Sequence, residues 1–196
     1  MSEFWIYLQL GLHHILDIKG YDHILFLTVL VIPYSFKDWK KILLLVSIFT
    51  IGHSLALLLS VYKIVVIKEQ IVEFVIPITI ICTAIYDLLT SGKSFKNNSL
   101  TVIGFLTLFF GVIHGLAFSN YFKTLLSGAP QSKLMPMFSF AIGIETSQIV
   151  VFSIVLLMSY FLQTIFRFSK REITLIVTSF VIGVVLPIII KNSIWN

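Results

Sequence analysis

Residues 134–166 read LMPMFSFAIGIETSQIVVFSIVLLMSYFLQTIF, a run in which Glu145 is the one charged side chain. Crossing the hydrocarbon core of a bilayer takes about 20 predominantly apolar residues in a helix, so this run reads as a transmembrane helix with length to spare. Working outward, further apolar runs lie at roughly 4–16, 23–34, 42–62, 70–90, 100–122 and 173–190, separated by short polar stretches such as 35–41 and 91–99. The whole chain follows the same rule. Hydrophobic residues make up 58% and charged residues 12% of its 196 residues, and mean hydropathy is +1.01, where a soluble domain carries roughly 25% charged residues.

The expected architecture is therefore all-α: a polytopic integral membrane bundle of about six to seven transmembrane helices, forming a single domain over residues 1–196. The first two runs are too short to span alone and predict a short or broken N-terminal helix pair. Pro33, Pro77, Pro136 and Pro187 fall in or at the ends of the runs and are read as kinks or caps. The start Met-Ser-Glu-Phe-Trp has neither the basic stretch nor the cleavage site of a signal peptide, so the first apolar run is expected to stay in the mature protein.

The formal charge of +5 comes from basic residues scattered singly and in pairs. No basic stripe or motif accompanies it, which argues against a nucleic-acid partner. If all seven runs cross, Lys37, Lys40, Lys41, Lys93, Lys96, Arg167, Lys170 and Arg171 share the N-terminal side. Lys19, Lys63, Lys68, Lys123, Lys133 and Lys191 fall on the other. That excess predicts a cytoplasmic N-terminus.

The expensive residues are placed tellingly. His13, His14, His23, His53 and His114 all lie within or beside apolar runs, and none sits in a polar loop. An ionisable side chain inside a membrane costs a few kcal/mol on insertion scales, so such residues usually face the bundle interior and pair with one another. Asp22 and Glu145 add two carboxylates at similar depth, whereas Asp17, Asp87 and Glu73 stand nearer the run ends, where solvation accounts for them.

The stretch His13-His14-Ile-Leu-Asp17-Ile-Lys-Gly20-Tyr-Asp22-His23 is the densest in donors. His13 and Asp17 are one helical turn apart, Gly20 suits a break, and Asp22 and His23 then open the next helix. Asp22 there would also serve simply as a first-turn carboxylate favoured by the helix dipole. In Gly52-His53-Ser54 and Gly111-Val-Ile-His114-Gly115 each histidine is flanked by small residues. Gly111 and Gly115 form a GxxxG, whose ordinary meaning is close helix packing. Glu145 and Gln148 share a face, and Ser139, Gly143 and Ser147 form a small-residue stripe.

Cys82 is the sole cysteine, so a thiolate cluster is excluded. Imidazole and carboxylate donors suit nickel, cobalt, zinc or ferrous iron and disfavour copper(I). The same donors would serve a translocation path, or a closed zinc site that activates water with Asp22 or Glu145 as general base. A scaffold whose histidines only join helices is the third reading.

Four motifs in order carry a family resemblance: His14 with Gly20-Tyr-Asp22-His23-Ile-Leu-Phe26, Phe49-Thr-Ile-Gly-His53-Ser54, Phe110-Gly-Val-Ile-His114-Gly115 and Gly143-Ile-Glu145-Thr-Ser-Gln148. In these the chain resembles the HupE/UreJ family of bacterial membrane proteins. The His14-to-Gly20 spacing is longer than the compact form of the signature, and His13 is a rival to His14 as ligand. The resemblance implies a nickel or cobalt permease or accessory of the inner, cytoplasmic membrane, tied to hydrogenase and urease metal supply. His14, Asp22, His23, His53, His114 and Glu145 would handle the metal. The lipid bilayer and the ion are the expected partners; a homo-oligomer or a metalloenzyme-maturation partner stays open.

Overall fold

A computed structural model describes residues 2–91, 97–126 and 133–191; Lys93, Lys96 and most of the polar stretch 91–99 lie outside the described residues. All regular structure in the described residues is helical. The α-helices are α1 (Glu3–Leu16), α2 (Asp22–Val31), α3 (Trp39–Val61), α4 (Glu69–Thr90), α5 (Asn97–Leu126), α6 (Leu134–Ile165) and α7 (Lys170–Ile190). Short 3₁₀ turns at Ile18–Gly20 and Phe36–Asp38 lead into α2 and α3. Helices are the form that satisfies every backbone group internally in lipid, and α3 to α7 are each long and apolar enough to cross a membrane. Their outward faces are apolar, with Phe105, Phe138, Met158 and Phe180 all exposed. This is a multi-pass membrane protein in a lipid bilayer.

The N-terminal pair is short, as its runs predict. At 1.5 Å per residue, α1 with 14 residues and α2 with 10 reach about 21 and 15 Å, against a hydrocarbon core of about 30 Å. Seven full crossings, the premise behind the lysine and arginine count, are therefore not met by these lengths. The break between the two starts at Asp17, whose backbone is extended (φ −67°, ψ 116°). It closes through the Gly20 amide donating to the Asp17 carbonyl at 3.1 Å. Pro77 and Pro187 sit inside α4 and α7. Pro136 lies in the first turn of α6, where a missing amide costs little.

Close packing is built on glycine. Phe49, His53 and Ala56 of α3 meet Gly111 and Gly115 of α5, and Ser60 donates to Ser119 at 2.8 Å; the ascending order on both helices makes them parallel neighbours. A β-carbon at Gly111 or Gly115 would run into the carbonyl oxygens of Phe49 and His53, and one at Gly52 would stand 2.6 Å from the Leu108 carbonyl. The GxxxG thus does pack helices. It also sets the separation of the two histidines it carries. On the other side of the bundle, Gly11 of α1 and Gly143 of α6 touch backbone to backbone, 3.1 Å from a β-carbon at Gly11 to the Gly143 Cα. Ser147 donates to the Leu12 carbonyl at 3.0 Å. Of the small-residue stripe, Gly143 and Ser147 make this approach, while Ser139 bonds within its own helix. The short α2 is held among α4, α6 and α7, with Phe26 stacked on Phe110 at 3.6 Å between centroids.

One helix start is locally encoded. Ser169 caps α7: the Glu172 amide donates to its hydroxyl at 3.2 Å, and the Glu172 carboxylate accepts from the Ser169 amide at 2.7 Å. Such a cap contributes about 1 kcal/mol. Ser169→Ala is expected to lower the melting temperature in detergent by about 2–4 °C without changing metal binding; a thermal shift assay reads it.

Candidate metal centre

Four helices bring the donors together. His14 comes from the last turn of α1, Asp22 and His23 from the first turn of α2, His53 from the middle of α3 and His114 from α5. Ring centroids are 4.6 Å apart for His14 and His23, 4.4 Å for His23 and His114 and 5.6 Å for His14 and His53. Two groups of three donors result, His14 with His23 and His53, and Asp22 with His23 and His114. In each group one ligand atom per residue lies within 4.8 Å of the others, and His23 belongs to both. His23, His53 and His114 are 5%, 0% and 1% exposed.

The state of the ring nitrogens is the strongest chemical fact. His14 Nε2 and both nitrogens of His23 and of His53 are buried with no hydrogen-bond partner in the protein. Leaving a buried polar group unsatisfied costs about 1–3 kcal/mol, and a histidine used only to join helices would have spent its nitrogens on a partner. His23 Nδ1 does lie 3.2 Å from Asp22 Oδ1, an electrostatic contact with the carboxylate of the same three-donor group. Unpartnered imidazole lone pairs converging on one point fit a divalent transition metal.

His114 is held differently. Its Nδ1 lies 3.2 Å from the Phe110 carbonyl oxygen, which accepts from it in the tautomer that carries the proton on Nδ1. That fixes Nε2 toward the cluster, the arrangement by which metal-binding histidines are commonly oriented. Nε2 is in turn 3.1 Å from Asp22 Oδ2.

Aromatic rings wall the cluster. Phe110 stacks on His114 at 4.1 Å, Phe118 lies 4.0 Å from His14, and Phe49 and Phe140 border His53 at 6.0 Å. Sequence reading did not single out these rings as site residues, although the spacing holds the signal: Phe49 precedes His53 by one turn, and Phe110 and Phe118 flank His114 by one turn each. They exclude water and so strengthen any cation–ligand interaction inside.

Of the six residues expected to handle metal, His14, Asp22, His23, His53 and His114 come together. Glu145 stands apart from both three-donor groups, its Oε1 accepting from Ser47 at 2.6 Å. Gln148, one turn on, is fully buried and accepts from Thr50 at 2.9 Å. Between the rivals, the helix turns His14 into the cluster and leaves His13 exposed. Asp87 departs from the solvated position expected of it: it is 3% exposed, and its Oδ2 has no hydrogen-bond partner.

Comparison with curated proteins and with solved structures produced no match. A family model described as HupE / UreJ protein matches residues 1–192, a span that takes in all the donors above, and the chain belongs to the HupE/UreJ family.

Proposed function

We propose that this chain, as one transmembrane domain of the inner, cytoplasmic membrane, is a permease for a divalent transition-metal ion, nickel or cobalt by the association of its family. The observation that carries the reading is the pair of three-donor groups sharing His23. A resident catalytic metal is held at one site, by three protein ligands with a fourth position open to water or substrate. Two dications sharing one ligand at this separation repel each other, so in this reading the overlapping groups are filled one at a time. They make a relay: the ion is held by His14, His53 and His23, then by His23, His114 and Asp22. Binding that is favourable enough to enter yet weak enough to leave is what conduction requires. Imidazole and carboxylate replace part of the hydration shell at each stop. Glu145 serves in this reading as an outlying carboxylate that attracts the cation from beyond the two groups.

Purified protein reconstituted into vesicles provides the test, with entry of nickel, cobalt, zinc and ferrous ions followed over time and the metal content of the purified protein determined beside it. The expected result is saturable entry of nickel or cobalt above that of protein-free vesicles, with little metal retained after chelator treatment. Stoichiometric zinc that survives purification, with no entry of any of the four ions, overturns transport in favour of a zinc-dependent hydrolase.

A further inference from the structure

A cavity of about 630 Å³ borders the cluster on the α1 side, lined among others by His13, His14, Asp17, Phe118 and Tyr121. His14 is the hinge of the arrangement, since the same side chain lines this open space and belongs to the buried group with His23 and His53. Consecutive residues project about 100° apart around a helix, so His13 and His14 divide the last turn of α1 between them. His14 faces the cluster and His13 remains exposed. Asp17 follows one turn after His13, at the residue where α1 ends and the backbone becomes extended, and it too is exposed. The C-terminal end of a helix carries partial negative charge. The His13 imidazole, the Asp17 carboxylate and that end of α1 thus border one open space, and of its lining residues only His14 belongs to a three-donor group.

We propose that His13 and Asp17 form an outer capture site for a hydrated divalent transition-metal ion, which passes from there to His14. The assignment rests on the transport reading above and adds its first step. One imidazole and one carboxylate, both exposed, replace only part of a hydration shell, so the site is weak and fast. It concentrates the ion beside His14 and leaves the rate of passage to the buried relay. His14 is then the common ligand between capture and relay, as His23 is between the relay's two halves.

Entry of nickel and cobalt into vesicles is measured over a range of concentrations for the wild type, for His13→Ala combined with Asp17→Asn, for Asp17→Glu and for His23→Ala. Both capture residues are solvent-exposed, so the double variant is expected to fold as the wild type does, checked by its elution as a single species in detergent. Its half-saturating concentration should rise about three- to tenfold with the maximal rate unchanged, and Asp17→Glu should keep most of the wild-type value. An unchanged half-saturating concentration in the double variant, or a reduced maximal rate alone, while His23→Ala abolishes entry, overturns the capture site and leaves the permease standing. Wild-type entry by His23→Ala overturns the permease reading itself.

Discussion

His23→Ala is expected to abolish metal entry and to weaken nickel or cobalt binding at least about a hundredfold, about 2.8 kcal/mol, measured by titration calorimetry in detergent. His23 is the one donor common to both groups, so its loss leaves each with two ligands. The fold should survive. Both ring nitrogens of His23 are buried without a hydrogen-bond partner, so removing the ring also removes an unmet desolvation cost that offsets the lost packing. The contrast with its neighbours is diagnostic. His53→Ala takes a ligand from one group and His114→Ala from the other, and each should weaken binding less than His23→Ala. Equal losses for all three would mean that the donors form a single site and not a relay.

Gly115→Val is expected to cost more in folding than any single histidine. A β-carbon at Gly115 would meet the His53 carbonyl oxygen, with the Ala56 Cβ and the His53 carbonyl carbon both at 2.9 Å. Two of these three atoms are backbone, so the helices themselves must part. Overpacking of this kind costs about 1–3 kcal/mol. Because His53 lies at the contact and His114 is the adjacent residue on α5, the same displacement pulls two ligands from the cluster. A lower melting temperature together with weaker metal binding is therefore expected. Gly183→Ala is the control: nothing stands within 4 Å of its β-carbon, and alanine is the better helix former by about 1 kcal/mol. A Gly115→Val protein as stable as Gly183→Ala would show that the α3–α5 contact does not hold the bundle.

The division between what was legible and what was not follows from range. The short first pair, the break near Gly20 and the opening of α2 at Asp22 are written in consecutive residues, and the structure has them there. The GxxxG is equally local, though the partner it packs against is not. Asp87 misleads for the opposite reason. Its place three residues before the end of α4 reads as solvated, but exposure near a helix end depends on what covers that end, and here Asp87 is buried. His13 and His14 are chemically identical neighbours, and choosing between them requires the rotation of α1, which its glycine contact with α6 sets.

From composition and the placement of apolar runs alone, this chain is a helical membrane protein with histidines in its interior. Those properties follow from transfer free energies that each residue carries wherever it goes. Only the tertiary structure decided that His14, Asp22, His23, His53 and His114 converge while Glu145 stands off beside Ser47. Convergence depends on the rotation and approach of helices far apart in sequence, and these are set by backbone contacts at Gly11, Gly52, Gly111, Gly115 and Gly143. A ligand's residue type is local; its distance from the next ligand is a property of packing.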